Sequence, residues 1–374
     1  MEDRDPRPIL CFATQGSTHL DGERVRLLLA PLAPEEYPFD HARKLRSAVG
    51  LLRCVHRRRP KLIVMEGTGV AGGLALLLAS AVLRVPFIVS SGDAVAPYLG
   101  LRSRLAGRIG GVYERTLCRR CAGYVGWSPY LVGRALTYGA PRAMTAPGWN
   151  EARPAAGARE RVREQLGVGP DTILVGLVGS INWRARVGYA YGAELVLAMR
   201  RVAREDVAVC VVGDGSGRER LQALAAEQLG RRVLLPGRVA HEQVADYLAA
   251  FDVASLPQSV DRVGSFRYSI KVSEYLDAGL PIITGQIPAA YDLDAGYLWR
   301  LPGAAPWSET YVTALAELLQ GLDAAAIARR REAAYAWRER PFDKSEQQRR
   351  MSEFVRDTLA RVDPRPPTTR HAGG

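Results

Sequence analysis

The sequence predicts two α/β domains in tandem, each a doubly wound parallel sheet covered by helices. Three observations lead to this prediction. The 374 residues exceed one ordinary core and suit two. Short, nearly continuous apolar segments alternate with helical ones, as is typical of parallel strands buried on both faces. Around residues 144–158 a stretch rich in Pro, Gly and Ala interrupts the alternation, which then restarts.

The first half of the chain alternates between predicted strands and helices. The predicted strands are 9–14, 61–66, 86–90 and 123–127. An amphipathic run at 23–32 and an apolar run at 70–83 predict helices. We expect helix 70–83 to be buried, because Arg84 and Pro86 end the apolar stretch too early for a membrane span.

The second half repeats the alternation. The predicted strands are 172–178, 207–212, 232–235, 253–256 and 281–284. The predicted helices are 193–202, 217–229, 241–250 and 268–278, followed by a long helical region at 309–362. The tail at 363–374 is predicted to be disordered.

These elements predict the domain boundaries. We expect an N-terminal domain at 1–147, a linker at 148–158, a second domain at 159–340 and a C-terminal helix at 341–362. Two doubly wound domains place the carboxyl ends of both sheets around one cleft, where ligands of open α/β sheets bind.

Composition limits the class of protein. An apolar content of 47% with 24% charged residues fits a globular chain. Five cysteines are too few for a disulfide framework, and the CxxC of Cys118 and Cys121 lacks the second pair that a zinc site needs. The N-terminus shows no secretory signal. We therefore expect a cytoplasmic protein whose CxxC binds no metal.

The positive charge lies in the first half of the chain. The net charge is +12, and residues 1–150 carry 21 Lys and Arg against 11 Asp and Glu. This excess forms either a solvated surface or a face for an anionic membrane or a phosphate-bearing acceptor. No aromatic and basic recognition module accompanies it, so no specific nucleic-acid partner is expected.

The segment 101–121 places apolar residues at helical spacing among arginines, and Gly110-Gly111 is expected to interrupt it. It is either a core-facing helix with a solvated basic face or an interfacial helix. In the second case the protein is peripheral at the inner face of the plasma membrane.

The densest set of candidate functional residues lies between residues 209 and 285. Gly213 follows a predicted strand, and Ser269, Lys271 and Glu274 cluster at a predicted helix start. A nucleoside diphosphate carries vicinal ribose hydroxyls and a pyrophosphate. Glu274 is the candidate carboxylate for both hydroxyls. The helix N-terminus with the Ser269 hydroxyl and the Lys271 ammonium suits the pyrophosphate.

The order of these motifs closely resembles the C-terminal domain of glycosyltransferase family 4 (group 1). The resemblance implies the two-domain GT-B fold, with the C-terminal helix crossing back to the N-terminal domain. It implies a nucleotide-diphosphate sugar as co-substrate and transfer of its sugar to a hydroxyl of a glycan, lipid-linked or small-molecule acceptor. It also implies retention of configuration without a protein nucleophile or a metal, because the leaving diphosphate helps to deprotonate the acceptor.

Two glycine-containing loops extend the resemblance. Gly16 lies in a first loop like the glycine-rich loop through which family members approach the donor. Gly179 and Ser180 open a loop that in the family carries an arginine and a lysine on the donor phosphates. Ser180 stands at the arginine position, so Arg184 or Arg186 is the candidate catalytic cation. The alternative is a surface loop with chance arginines.

Two positions depart from the family. Phe266 stands at the first glutamate of the Glu-x7-Glu motif that ends at Glu274. Gly92-Asp93 replaces a usual His-Asp pair, which leaves Asp93 either to orient a sugar or acceptor hydroxyl or to cap the next turn.

The two missing side chains leave two alternatives open, a non-catalytic donor-binding subunit and a sugar epimerase on the same fold. A dinucleotide dehydrogenase is disfavoured, because no GxGxxG follows the first strand. His241, at a predicted helix start, is expected to be structural.

Overall fold

The chain folds into two compact units in a computed structural model that describes residues 6–267, 269–337 and 342–362. Unit 1 comprises 6–148, 266–267 and 343–362, and unit 2 comprises 149–265, 269–337 and residue 342. The tail predicted to be disordered, 363–374, lies outside the described residues.

Unit 1 is built on a six-stranded parallel sheet. Its strands are β1 (Ile9–Ala13), β2 (Glu35–Glu36), β3 (Leu62–Glu66), β4 (Phe87–Ser91), β5 (Gly123–Gly126) and β6 (Ala143–Thr145). Their order is β2-β1-β3-β4-β5-β6, with Cys11 of β1 opposite Val64 of β3. The chain thus reverses direction across the sheet between β1 and β3, and this switch point is where open sheets bind ligands.

Six helices of unit 1 precede its last strand. They are α1 (Leu20–Leu29), α2 (Lys44–Arg58), α3 (Val70–Leu83), α4 (Val95–Gly100), α5 (Arg104–Arg120) and α6 (Pro129–Thr137). Because crossovers between parallel strands are right-handed, the strand order puts α2, α3 and α5 on one face of the sheet and α1 on the other.

Unit 2 repeats the architecture. Its strands are β7 (Ile173–Val178), β8 (Val207–Val212), β9 (Val233–Gly237), β10 (Val253–Leu256), β11 (Ile282–Gly285) and β12 (Leu298–Leu301), in the order β12-β11-β10-β7-β8-β9. Its helices are α7 (Ala158–Gln165), α8 (Ala193–Met199), α9 (Arg218–Ala225), α10 (Val244–Ala250), α11 (Lys271–Asp277), α12 (Ala289–Asp292), α13 (Glu309–Gly321) and α14 (Ala324–Trp337). All strand pairs are parallel, so the predicted α/β class is confirmed, and the switch point lies between β7 and β10.

The long helical region predicted at 309–362 is three helices, which are α13, α14 and α15 (Lys344–Val362). The carboxylates of Asp323 and Asp343 each accept a hydrogen bond from a backbone N–H three residues on, at 2.7 and 2.6 Å. Such N-caps begin new helices at α14 and α15, and the sequence analysis overlooked both.

Helix α15 belongs to unit 1 and packs against α1, which confirms that the C-terminal helix returns to the N-terminal domain. The Gln348 amide donates to the Leu27 carbonyl at 2.6 Å. Gln347 is buried and exchanges two hydrogen bonds with the backbone of Gly148, at 2.9 and 2.7 Å.

The prediction that Gly110-Gly111 interrupts a helix is wrong, because α5 continues through both residues. The small residues serve close packing against α4 instead. A Cβ atom at Gly110 would lie 2.8 Å from Cδ1 of Leu99, and one at Gly107 would lie 2.9 Å from Cα of Gly100. The segment is thus one continuous helix, α5, packed closely against α4.

The prediction that the apolar helix 70–83 is buried is also wrong for one side of α3. Its inward side, including Leu76 and Ala79, joins the core of unit 1. Its outward side exposes large apolar side chains to between 43% and 67%, at Val70, Leu74, Leu78 and Val82. Among the described residues no single helix is long and apolar enough to span a membrane, although the bent pair α13 and α14 passes the same test of length and composition together.

Candidate functional site

Two glycine-containing loops of unit 2 meet beyond the carboxyl ends of β7 and β8. Gly213 has φ +144°, and a Cβ atom there would lie 1.9 Å from the carbonyl oxygen of Gly179. The Gly179 N–H donates to the Val212 carbonyl at 2.9 Å. Only glycine fits at Gly213, because both its backbone conformation and its neighbour exclude a side chain. The structure therefore brings together two loops that the sequence predicted to bind the donor.

Lys271 reaches the same point from α11. A Cβ atom built on Gly179 would lie 3.3 Å from Cε and 3.8 Å from Nζ of Lys271. Helix α11 starts at Lys271, later than the predicted 268–270, and Tyr268 lies outside the described residues. Ser269 is partly buried just before the helix, and its carbonyl accepts the Val272 N–H at 3.0 Å. A cation thus stands at the switch point between β7 and β10.

Glu274 lies one turn further along α11 and lines a pocket within unit 2. The other lining residues include His241 of the segment before α10, Asn150 and Arg153 of the predicted linker, and Asp277. Burial raises the pKa of Glu274, and the charges of Lys271 and His241 oppose that rise. The Asn150 amide donates to Asp277 at 3.1 Å, and Arg153 forms an ion pair with the same carboxylate.

The sequence analysis missed that His241 and Arg153 share this pocket with Glu274. His241 had been expected to be structural because it starts a helix, and it does begin a short 3-10 turn before α10. No spacing rule connects residues 33 or more positions apart, so only the fold could reveal the pocket.

The loop after β7 carries the two candidate catalytic arginines. Ser180, Arg184 and Arg186 are all exposed. The Arg184 N–H donates to the Tyr189 carbonyl at 2.8 Å, which folds 184–189 into a tight turn.

A buried glutamate, Glu194, accepts hydrogen bonds from residues at the end of this loop. The Tyr189 hydroxyl and the Gly192 N–H donate to Glu194, at 2.7 and 3.2 Å. Burial raises the pKa of Glu194 to about 7, against the hydrogen bonds that favour its ionised form. The turn that presents Arg184 and Arg186 is therefore held, through Tyr189, by a buried carboxyl group whose pKa is raised.

Two predicted site residues belong to unit 1. Gly16 follows β1 at the switch point with φ +114°, and its carbonyl accepts the His19 N–H at 3.2 Å. The Asp93 carboxylate is 54% exposed and faces Nε of Arg267 at 3.5 Å. The N-cap of α4 receives no side-chain hydrogen bond, so Asp93 does not cap that helix.

The absent histidine has a steric explanation. A Cβ atom at Gly92 would lie 2.7 Å from two carbons of the Trp127 indole, so any side chain there would displace the ring. The indole N–H donates to the Glu66 carboxylate at 3.0 Å, and the Arg24 guanidinium lies 4.5 Å from the ring centroid. An aromatic ring thus occupies the space that a side chain at Gly92 would need.

Trp127 is part of a buried charged network at the carboxyl edge of the unit 1 sheet. Glu66 ends β3 and is fully buried, and Arg24 of α1 donates to it at 2.6 Å. Arg24 also donates to Ser90 at 3.3 Å and to the carbonyl of Ala146. Burial raises the pKa of Glu66, and Arg24 opposes the rise. The sequence analysis missed this pair, although a glutamate at the end of an apolar strand was a signal.

Phe266, at the position of the missing glutamate, belongs to unit 1. Its ring packs against the core of that unit and lies 5.1 Å from the guanidinium carbon of Arg134. Arg134 in turn donates two hydrogen bonds to Glu114, at 2.8 and 2.9 Å. The aromatic side chain therefore makes a cation–π contact that a glutamate could not make.

The described residues contain no cluster of potential metal ligands. Within 6–267, 269–337 and 342–362, no group of three or more His, Cys, Asp and Glu is arranged to hold a metal ion. Cys118 and Cys121 are both buried, and burial raises the pKa of Cys118 to about 12. Both thiols are therefore held in the unreactive protonated form.

Two α/β units, each built on a six-stranded parallel sheet, are the architecture expected of a GT-B glycosyltransferase, and Lys271 lies beside the Gly179 loop at the switch point of unit 2. Comparison with protein families agrees. Residues 6–148 match the family described as "Glycosyl transferase 4-like domain", and residues 172–321 match "Glycosyl transferases group 1". The chain belongs to the group 1 glycosyltransferases, so the predicted family and enzyme class are confirmed.

Solved structures of low sequence identity share the fold. The Anabaena protein HepE, in complex with UDP and glucose, has a TM-score of 0.70 at 17% identity, over 94% of this chain and 100% of its own. Sucrose-phosphate synthase from Thermosynechococcus elongatus has a TM-score of 0.71 at 16% identity, over 95% and 100%. WaaG, a glycosyltransferase involved in lipopolysaccharide biosynthesis, has a TM-score of 0.66 at 15% identity, over 93% and 99%. A search of curated proteins found no matching sequence.

Proposed function

We propose that the enzyme binds a nucleotide-diphosphate sugar on unit 2 and transfers the sugar to an acceptor hydroxyl. The observation that carries the proposal is the position of Lys271 against Gly179, with Gly213 packed on the same loop. Backbone from two glycine-containing loops and one ammonium group form a surface suited to a pyrophosphate. UDP is the first nucleotide to test, because HepE was solved with UDP.

We infer the roles of the remaining donor residues from their positions. Glu274 accepts hydrogen bonds from the two ribose hydroxyls, since it lies one turn from Lys271 and lines a pocket. Ser180 follows Gly179 on its loop and Ser269 lies two residues before Lys271, and both are proposed to bind the donor. Arg184 or Arg186 supplies a second cation for the departing diphosphate, because both side chains are exposed on the loop that begins at Gly179.

We propose that transfer retains the anomeric configuration and requires neither a metal nor a cofactor. The diphosphate oxygen that leaves the anomeric carbon takes the proton of the acceptor hydroxyl on the same face of the sugar. Lys271 and the loop arginine offset the charge that develops on that oxygen. Such a mechanism needs no histidine at Gly92, where the Trp127 ring leaves no space. Asp93, exposed at the edge of unit 1, orients the sugar or acceptor hydroxyl.

The acceptor is proposed to be a glycan, a lipid-linked sugar or a small molecule that unit 1 binds, and Gly16 is proposed as a donor-binding residue. The location is proposed to be the cytoplasm, with peripheral contact at the inner face of the plasma membrane. The positive charge of residues 1–150 supports this location, since anionic lipids attract basic surfaces.

The test is product analysis with a panel of nucleotide sugars and hydroxyl acceptors. We expect release of a nucleoside diphosphate that depends on both substrates, a product of unchanged anomeric configuration by NMR, and full activity in the presence of EDTA. Variants that remove the charge of Arg184 or Arg186 should lose activity. Arg231→Gln, which removes the charge of another exposed arginine of unit 2, is their control and should stay active. Isomerised donor without diphosphate release would instead identify an epimerase, and an inverted product would refute the proposed mechanism.

A further inference from the structure

Unit 1 exposes many large apolar side chains on three of its helices. The outward sides of α2, α3 and α5 carry them, and we call this surface the three-helix face. These helices lie side by side on one face of the sheet, with α3 packed against both neighbours. The apolar side chains that they expose are Leu45, Val49, Val70, Leu74, Leu78, Val82, Leu105, Ile109 and Val112. Contiguous exposed patches of this kind mark interaction surfaces.

The part of the chain that forms the three-helix face carries a large excess of positive charge. Residues 41–120 contain 15 Lys and Arg but only three acids, Glu66, Asp93 and Glu114. Two of the acids are buried in ion pairs with arginines, and Asp93 faces Arg267. No acid within 41–120 therefore offsets the positive charge of the three-helix face, and an anionic partner is favoured.

On the three-helix face, exposed apolar side chains lie next to exposed arginines, as lipid tails lie next to charged headgroups in a bilayer. Along α5 the exposed Leu105, Ile109 and Val112 form a stripe, while Arg104 and Arg108 are exposed beside it. At the end of α2, Arg53, His56 and Arg57 line a shallow, open depression. Apolar side chains between arginines are the composition of interfacial helices.

We propose that the three-helix face docks the enzyme on an anionic lipid bilayer, with its apolar side chains inserted below the headgroups and its arginines at the lipid phosphates. The proposal extends the peripheral-membrane part of the proposed function and requires nothing of the donor residues. A second copy of the chain fits the face poorly, because a two-fold contact would bring the same arginines together. A nucleic acid would engage the arginines but leave nine apolar side chains exposed.

The experiment is flotation of the full chain with phosphatidylglycerol-containing vesicles and with pure phosphatidylcholine vesicles. We expect binding to the anionic vesicles, weakened but not lost at high salt, where exposed charges are screened. The combined variant Leu74→Ser, Leu78→Ser, Leu105→Ser and Ile109→Ser should bind about tenfold more weakly or worse, because burial in hydrocarbon is lost. The control changes two exposed apolar side chains of unit 2, Leu229→Ser and Tyr291→Ser, and should bind like wild type.

A second pair of variants tests the charge. Arg104→Gln with Arg108→Gln should reduce binding at low salt, whereas Arg231→Gln in unit 2 should not. Absence of vesicle binding, or binding that the apolar substitutions leave unchanged, would overturn the proposal. So would a dimer that the apolar substitutions dissociate, or duplex DNA bound in place of vesicles. Parallel titration with UDP reports on the donor site alone, so failure of either proposal is recognised separately.

Discussion

Replacement of Lys271 by methionine tests the donor site, because it removes a charge and keeps a similar length. In the structure the ammonium nitrogen lies beneath the loop that begins at Gly179, 3.8 Å from where a Cβ atom would stand. A hydrogen bond to a charged group contributes about 1.5 to 3 kcal/mol. Its loss should therefore weaken UDP binding by roughly 10- to 150-fold.

Isothermal titration calorimetry with UDP and with uridine measures this effect. We expect Lys271→Met to lose affinity for UDP but to keep its affinity for uridine, which has no phosphate. Lys271→Arg should recover part of the loss, and Lys44→Met on α2 of unit 1 is the matched control. Equal UDP affinity of wild type and Lys271→Met would refute the assignment of the diphosphate to this position.

Two further predictions concern Glu194 and Gly92. Burial raises the pKa of Glu194 from 4.5 to about 7, so the stability it contributes is complete below the ordinary glutamate pKa and is lost as pH rises through about 7. Urea denaturation should show that the free energy of unfolding falls by roughly 3 kcal/mol as pH rises from the ordinary glutamate pKa to above 7. Glu194→Gln should remove this pH dependence, and the same pH profile in the variant would contradict the prediction. Gly92→Ala should lower the unfolding free energy by about 1 to 3 kcal/mol, because the new methyl group collides with Trp127. In a Trp127→Ala background the same change should cost less, whereas additive costs would show that the two positions do not interact.

The sequence predicted the architecture because the spacing of apolar residues indicates which segments are buried strands and which are helices. Strands β3 and β8 are fully buried, and apart from Glu66 at the end of β3 they are apolar, as expected of central parallel strands. The apolar run of α3 gave the correct helix but the wrong environment, since composition alone does not show which side of a helix remains uncovered. The helix starts at Asp323 and Asp343 were readable as N-caps and were overlooked.

The candidate site was predictable only where its residues are close in sequence. Ser269, Lys271 and Glu274 lie within six positions and were found together. Arg24 and Glu66 are 42 positions apart, and their pairing depends on two strands and a helix that only the fold brings into contact. The Trp127 ring explains the absence of a side chain at Gly92. The contact could not be predicted, because the two residues are far apart in the sequence.

The central claim is that unit 2 binds a nucleotide-diphosphate sugar through Glu274 and its neighbours. Native mass spectrometry with a panel of nucleotide sugars tests it most directly, with wild type, Glu274→Ala and the control Arg231→Gln compared in parallel. We predict that wild type and the control retain the same nucleotide sugar and that Glu274→Ala retains none. Undiminished binding by Glu274→Ala would contradict the assignment of the ribose site, and binding of no nucleotide sugar by wild type would contradict the donor site as a whole.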